Sequence, residues 1–138
     1  MTAMLLDGKA VASKIRAEIA DATSDFIAAH RISPKLAAVL VGEDPASQVY
    51  VRNKQRACEA AGIGSALHRL PADSDETALL RIVTELNQDA SVHGILVQLP
   101  LPASIDAEKI LQTIDPRKDV DAFHPENVGR LVQGKPRF

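Results

Sequence analysis

Aromatic residues are nearly absent from this chain: one tyrosine, Tyr50, three phenylalanines and no tryptophan in 138 residues. The core must therefore be aliphatic, and the lone tyrosine becomes a position to explain. With a single cysteine, Cys58, no internal disulfide can form, which fits a reducing cytoplasm. Neither sign of charge dominates, since 16 Lys and Arg face 18 Asp and Glu. A chain without a broad positive field is a poor partner for nucleic acid. Apolar runs are far too short to cross a bilayer, and the N-terminus lacks the basic-then-apolar order of a signal peptide, so no membrane partner is expected. What remains is the length and composition of one ordinary globular domain with a real core.

After Asp7-Gly8, the residues Val11, Ile15, Ile19, Ala22 and Phe26 recur at spacings of three and four. That is one apolar stripe of a helix, reaching about His30. The run Leu36–Val41 suits a strand buried on both faces of a parallel sheet. Asp44 and Pro45 then read as the cap and first residue of a helix that runs to Ala61 and stops at Gly62. Ala66–Leu70 reads as a second strand. Asp73 and Glu76 frame a capping box for a helix over Asp75–Asn87, with Leu79, Ile82, Val83 and Leu86 facing inward. Gly94–Leu99 is the third strand, ended by Pro100 and Pro102, and a short helix over Asp106–Ile114 precedes Asp115-Pro116. The remainder reads mostly as loop, with Gly134–Phe138 resembling a linker. Helices alternating with short apolar strands predict an α/β domain in three layers, a mostly parallel sheet flanked by helices.

The helix after Gly42 holds an anomaly. At 100° per residue, Tyr50, Lys54, Ala57, Cys58 and Ala61 share a face that is otherwise small and apolar, whereas Arg52, Gln55, Arg56 and Glu59 form a solvated face. Lys54 is thus placed inward. Either it snorkels to water at the helix edge, or it is held at a cleft where partial desolvation suits acid/base work. In open α/β sheets ligands bind beyond the carboxyl ends of the strands, and Lys54 lies just past one such end. Gln98 lies at another, interrupting an apolar strand; its amide needs partners, from a ligand site or from loop backbone. Asp119, Asp121 and His124 fall within six residues, but the spacing lacks the ligands, turn glycine and closing Glu of a calcium loop. Loop acids of this kind are usually turn and capping groups, and no metal is expected. Gly62-Ile-Gly64 precedes a strand instead of following one, so it is no dinucleotide fingerprint. Glu43 and Asp44 would repel an anion from the helix start. Cys58 is best read as a small packing residue.

Three segments together carry a resemblance. Gly42-Glu-Asp-Pro-Ala-Ser-Gln-Val-Tyr-Val-Arg-Asn-Lys54 is similar to the Tyr-x-x-x-Lys signature helix of the bifunctional methylenetetrahydrofolate dehydrogenase/cyclohydrolase family. Gly94-Ile-Leu-Val-Gln-Leu-Pro-Leu-Pro102 resembles that family's second signature and Pro116–Asn127 its third; the opening Leu6-Asp7-Gly8-Lys9 also fits. The resemblance implies a catalytic domain over residues 1–138, with a linker starting at about 130. It also implies an NAD(P)-binding Rossmann domain that lies outside this chain.

By the same resemblance Lys54 is the central catalytic group, Gln98 bonds to it and tunes it, and Tyr50 stacks on the folate. Asp121 grips the polar edge of the pterin, with Val97 and Leu99 lining the site. The family oxidises 5,10-methylenetetrahydrofolate with NADP and hydrolyses the methenyl product to 10-formyltetrahydrofolate. Its full-length members are homodimers. Ala122 departs from the pattern, since the family usually has glycine there; if the position needs a positive φ, alanine is strained. Two rivals remain in view: a folate-binding module without catalysis that needs a separate nucleotide domain, and an unrelated enzyme using Lys54 as a Schiff-base lysine.

Overall fold

The structure, a computed structural model, describes residues 7–137, so Leu6 of the opening motif lies outside it. Helix α1 spans Gly8–His30 and starts where Asp7 accepts hydrogen bonds from the backbone of Lys9 and Ala10. Its stripe exists but is not core. Val11, Ile15, Ile19 and Phe26 are each between 42% and 58% exposed, and the buried residue of the helix is Thr23, whose hydroxyl donates to Ile19 O.

Three parallel strands follow, β1 over Lys35–Val41, β2 over Gly64–Leu70 and β3 over Gly94–Val97, in the order β2-β1-β3. β1 lies between the other two and its last five residues are all buried, as its unbroken apolar run predicts. Alternation across the pleat sends Ala37, Val39 and Val41 to one face. There they pack with Leu79, Val83 and Leu86 of α3 (Glu76–Gln88), and with Ile110 of α4 (Ala107–Thr113) and Ile114 just after it. Ala38 and Leu96 face the opposite side and meet Val51 of α2 (Pro45–Ala60). Helices therefore cover both faces, and the α/β architecture in three layers stands. Among the described residues no helix is long and apolar enough to cross a membrane.

Four local expectations need correction. The inward face of α2 is rotated from the one expected: Ser47 and Val51 are its buried residues, while Tyr50 and Ala57 are exposed. Residues 47, 51, 54, 58 and 61 form the stripe against the sheet, which leaves Tyr50 at its margin. The cap of α3 is Asp75, which accepts from Ala78 N at 2.7 Å, and not Asp73. Glu76 does not turn back on its own helix, because Lys109 Nζ and Asp106 N on α4 and its cap compete for its carboxylate. β3 ends at Val97, not Leu99: Gln98 N still donates to Val39 O at 2.9 Å, and the cis Leu99–Pro100 peptide then turns the chain away. Lastly, the stretch read as loop contains a further helix, α5, over Pro125–Val132. His124 caps it through Nδ1, Pro125 opens it, Glu126 lies in its first turn and Arg130 in its last. Pro125, Glu126 and Arg130 are readable start and stop signals, whereas a histidine cap is not.

Candidate active site

The carboxyl end of β3 opens beneath the middle of α2, and the loop 115–124 closes the far side. The parallel sheet dictates this: every strand ends at the same edge, so groups at strand ends and on the following helix converge there. α2 contributes Tyr50 and Lys54, the end of β3 contributes Val97, Gln98 and Leu99, and the loop contributes Asp121 and Phe123. Together they line an open cleft of about 370 Å³. All six residues singled out in the sequence meet in this one cleft, although they come from segments up to 71 positions apart (50 to 121).

Phe123 is the lining residue that sequence reasoning missed. The signal was present in the scarcity of aromatics. A half-exposed phenylalanine in a chain with so few rings is a candidate for ligand contact. Asp119 and His124, by contrast, lie outside the cleft and serve the loop and the start of α5.

Lys54 is partly buried, and its Nζ donates to Gln98 Oε1 at 3.5 Å, a long contact. The Gln98 amide donates in turn from Nε2 to Leu99 O at 2.8 Å. Both ends of Gln98 are therefore engaged, one by the lysine and one by the loop, and its acceptor oxygen is aimed at Lys54. Asp121 makes no side-chain hydrogen bond or ion pair among the described residues. Burial by the cleft walls pushes its carboxyl above the ordinary value, the nearby Lys54 ammonium pulls it down, and the charge of Asp119 pushes it up. Tyr50 is 62% exposed and presents ring surface at the cleft mouth.

This set combines an apolar floor, two exposed rings, one free carboxylate and one ammonium held by an amide. It suits a flat heterocycle bearing N–H donors along one edge. Among the described residues no three of His, Cys, Asp and Glu stand together as a metal site would need. Cys58 is half-buried away from the cleft, and burial pushes its thiol up, away from the thiolate form.

The family model for the catalytic domain of tetrahydrofolate dehydrogenase/cyclohydrolase matches residues 6–121. The chain belongs to this family. It is 56% identical over 136 residues to the bifunctional protein FolD of Magnetococcus marinus, covering 99% of this chain and 48% of that protein. To FolD of Rhodopirellula baltica it is 57% identical over 144 residues, covering 100% and 48%. Among solved structures it is similar to FolD of Campylobacter jejuni, a methylenetetrahydrofolate dehydrogenase/cyclohydrolase, with TM-score 0.91 and 48% identity over 95% of this chain and 46% of that one. It is also similar to the Trypanosoma brucei enzyme solved with NADP and an inhibitor, with TM-score 0.90 and 38% identity, covering 95% and 45%. The chain thus spans about half the length of the FolD relatives it matches.

The described residues do not fit a dinucleotide. Gly62 ends α2 at φ +72° and Gly64 begins β2, so the glycines join a helix to a strand. A pyrophosphate needs the reverse order, a strand leading into a helix N-terminus. At the start of α2, Asp44 already occupies the free amides through Ser47 N.

Proposed function

We propose that this chain is the folate-binding catalytic half of a cytoplasmic FolD-type methylenetetrahydrofolate dehydrogenase/cyclohydrolase of one-carbon metabolism. The observation that carries the reading is the convergence of Lys54, Gln98 and Asp121 on one apolar-floored cleft at the strand ends. Residues 1–138 are the catalytic domain, and the described residues form the folate site but no site for NADP.

In this proposal Asp121 accepts hydrogen bonds from the amino and ring N–H groups of the pterin, Tyr50 stacks on the folate, and Val97 and Leu99 bury its apolar surface. In the hydrolytic step water adds to the methenyl carbon and the bond from that carbon to one nitrogen breaks, leaving a formyl group. Of the two water protons, one passes through Lys54 to the departing nitrogen and the other leaves to solvent. Gln98 keeps Lys54 directed at that carbon. Hydride transfer is beyond this chain alone, and hydrolysis by it is weak because one side of the cleft is open to water.

Isothermal titration with 5-formyltetrahydrofolate, wild type beside Asp121→Ala, tests the reading. Binding by the wild type and roughly tenfold or greater weakening in the variant support it. Loss of methenyl hydrolysis in Lys54→Met then assigns the lysine. Binding with no hydrolysis at any enzyme concentration would favour the non-catalytic module instead. A folded wild type that binds no reduced folate would refute both.

A further inference from the structure

Asp119 lies two residues before Asp121, outside the cleft, and is only 2% exposed. It is a buried carboxylate without an ion-pair partner among the described residues. Burying such a charge is costly unless hydrogen bonds compensate it. Here they do. Asp119 Oδ2 accepts from His124 N and from Asn127 Nδ2, each at 2.9 Å, and Oδ1 accepts from Phe123 N at 3.4 Å. Asn127, itself 4% exposed, also donates to Pro116 O at 2.8 Å, and its Oδ1 accepts from Arg137 Nε. One buried acceptor thus gathers both ends of the loop, from Pro116 to Asn127. The loop is docked on the sheet by Ile95 N donating to Lys118 O at 2.7 Å.

Among the described residues the Asp121 side chain has no hydrogen-bond or ion-pair partner, and the residue precedes Ala122, whose φ of +55° is an unfavourable conformation for alanine. Its place in the cleft is therefore set by bonds that its neighbours make. We propose that Asp119 is a positioning residue: its carboxylate, bonded to the backbone of Phe123 and His124 and to the side chain of Asn127, holds Asp121 and Phe123 in the cleft. An acceptor-only group is required at this point, because three N–H donors converge on it. An asparagine would turn N–H groups toward at least one of them. The charge has a second effect, since it is one of the influences that push the Asp121 carboxyl up.

The binding arm of the test rests on the folate reading; the spectroscopic arm does not. In Asp119→Asn, compared with wild type, amide exchange at Phe123 and His124 is expected to quicken about tenfold or more. The Asp121 carboxyl, followed by carbon NMR, should titrate at lower pH, because the repelling charge is gone and the loop admits water. Affinity for 5-formyltetrahydrofolate should fall roughly tenfold to a hundredfold, as for loss of one charge-assisted contact.

If Asp119→Asn does not fold, Asn127→Ser serves in its place. It keeps the carboxylate and its charge but replaces the long amide donor by a short hydroxyl, so the exchange and affinity changes should appear at about a third of the size on a logarithmic scale while the Asp121 titration moves little. A variant that melts earlier but leaves the Asp121 titration and the Phe123 and His124 exchange at wild-type values makes Asp119 merely structural and overturns the proposal. Wild-type affinity in a variant whose parent binds also overturns it. A wild type that binds no folate, with the titration and exchange still displaced in the variant, sinks the folate reading and leaves the positioning role supported.

Discussion

Gly94 and Gly129 should respond to alanine with opposite signs. Gly94 opens β3 and is buried under the loop that carries Asp121. A Cβ added there would stand 2.6 Å from Val120 Cγ1 and 3.3 Å from Leu36 Cδ1. Carbon atoms rest at about 3.5–4.0 Å, so Val120 must retreat by about 1 Å. Two escapes exist. Rotating the β-branched Val120 off its rotamer costs about 0.5–1.5 kcal/mol. Lifting the loop instead stretches the 2.7 Å bond from Ile95 N to Lys118 O and costs on the order of 1 kcal/mol more. Overpacking of cores generally costs about 1–3 kcal/mol, and that is the expected loss for Gly94→Ala. In a domain of this size each kcal/mol moves the melting temperature by about 4 °C, so a fall of roughly 4–12 °C is expected by circular dichroism. Lifting the loop also displaces Asp121, and titration with 5-formyltetrahydrofolate should show weaker binding.

Gly129 lies inside α5 with nothing within 4 Å of its added Cβ. Alanine there removes unfolded-chain freedom and improves helix propensity, for a gain of about 0.5–1 kcal/mol. A Gly94→Ala protein that melts within about 1 °C of wild type refutes the close packing of the loop on β3. So does a pair of variants that shift in the same direction.

Ala122 holds φ +55°, a conformation costing alanine about 1–2 kcal/mol, so Ala122→Gly should stabilise. After about 0.4–1 kcal/mol is subtracted for the freer unfolded glycine, the gain in urea melts is up to about 1.6 kcal/mol. A loss instead would mean that the left-handed turn is not strained. Lys118 Nζ donates to the carbonyls of Leu86, Asn87 and Asp89 at 2.8–3.0 Å, the negative end of α3. Lys118→Met should cost about 2–4 kcal/mol in the same melts, and a loss below about 0.5 kcal/mol would contradict the cap. Bonds from the Arg117 guanidinium hold the Asp115 carboxyl down at about 2. A depressed carboxyl stabilises the fold above its ordinary value and loses that contribution as pH falls from about 4 through about 2. Asp115→Asn should therefore show a shallower loss of stability than wild type across that window, and parallel curves would exclude the pair as a source of acid sensitivity.

How much of this was legible in the sequence depends on how far apart the cause and the effect lie in the chain. Caps act within three or four residues, so Asp44 could be read directly and does cap its helix, while Asp7 and Asp106 cap theirs by the same local rule. Asp73 failed because Asp75, two positions on, is an equally good cap, and Glu76 is drawn to Lys109 across 33 positions. The inward face of α2 was misjudged because periodicity weighs residues by polarity. The expected face and the true stripe share Lys54, Cys58 and Ala61, and only the buried Ser47 and Val51, against the exposed Tyr50 and Ala57, show that the sheet side is turned toward residue 51. α5 escaped because its buried residue is the polar Asn127, while Val128, Leu131 and Val132 are exposed, the inverse of a core stripe.

The cleft shows the same division. That Tyr50, Lys54, Gln98 and Asp121 belong together followed from motif resemblance. What fixes Asp121 did not, because the decisive features are a missing side chain at Gly94 and a carboxylate at Asp119 that never reaches the cleft. Motifs name the groups that touch a ligand. The groups that hold them still act through backbone N–H bonds and close approach, which leave weaker marks in a sequence. In this chain they share the segments Gly94–Pro102 and Pro116–Asn127 with the cleft residues themselves. A motif of that length is best read as two interleaved sets, one facing the ligand and one facing the loop's own backbone. Asp121 and Asp119, two residues apart, are one member of each.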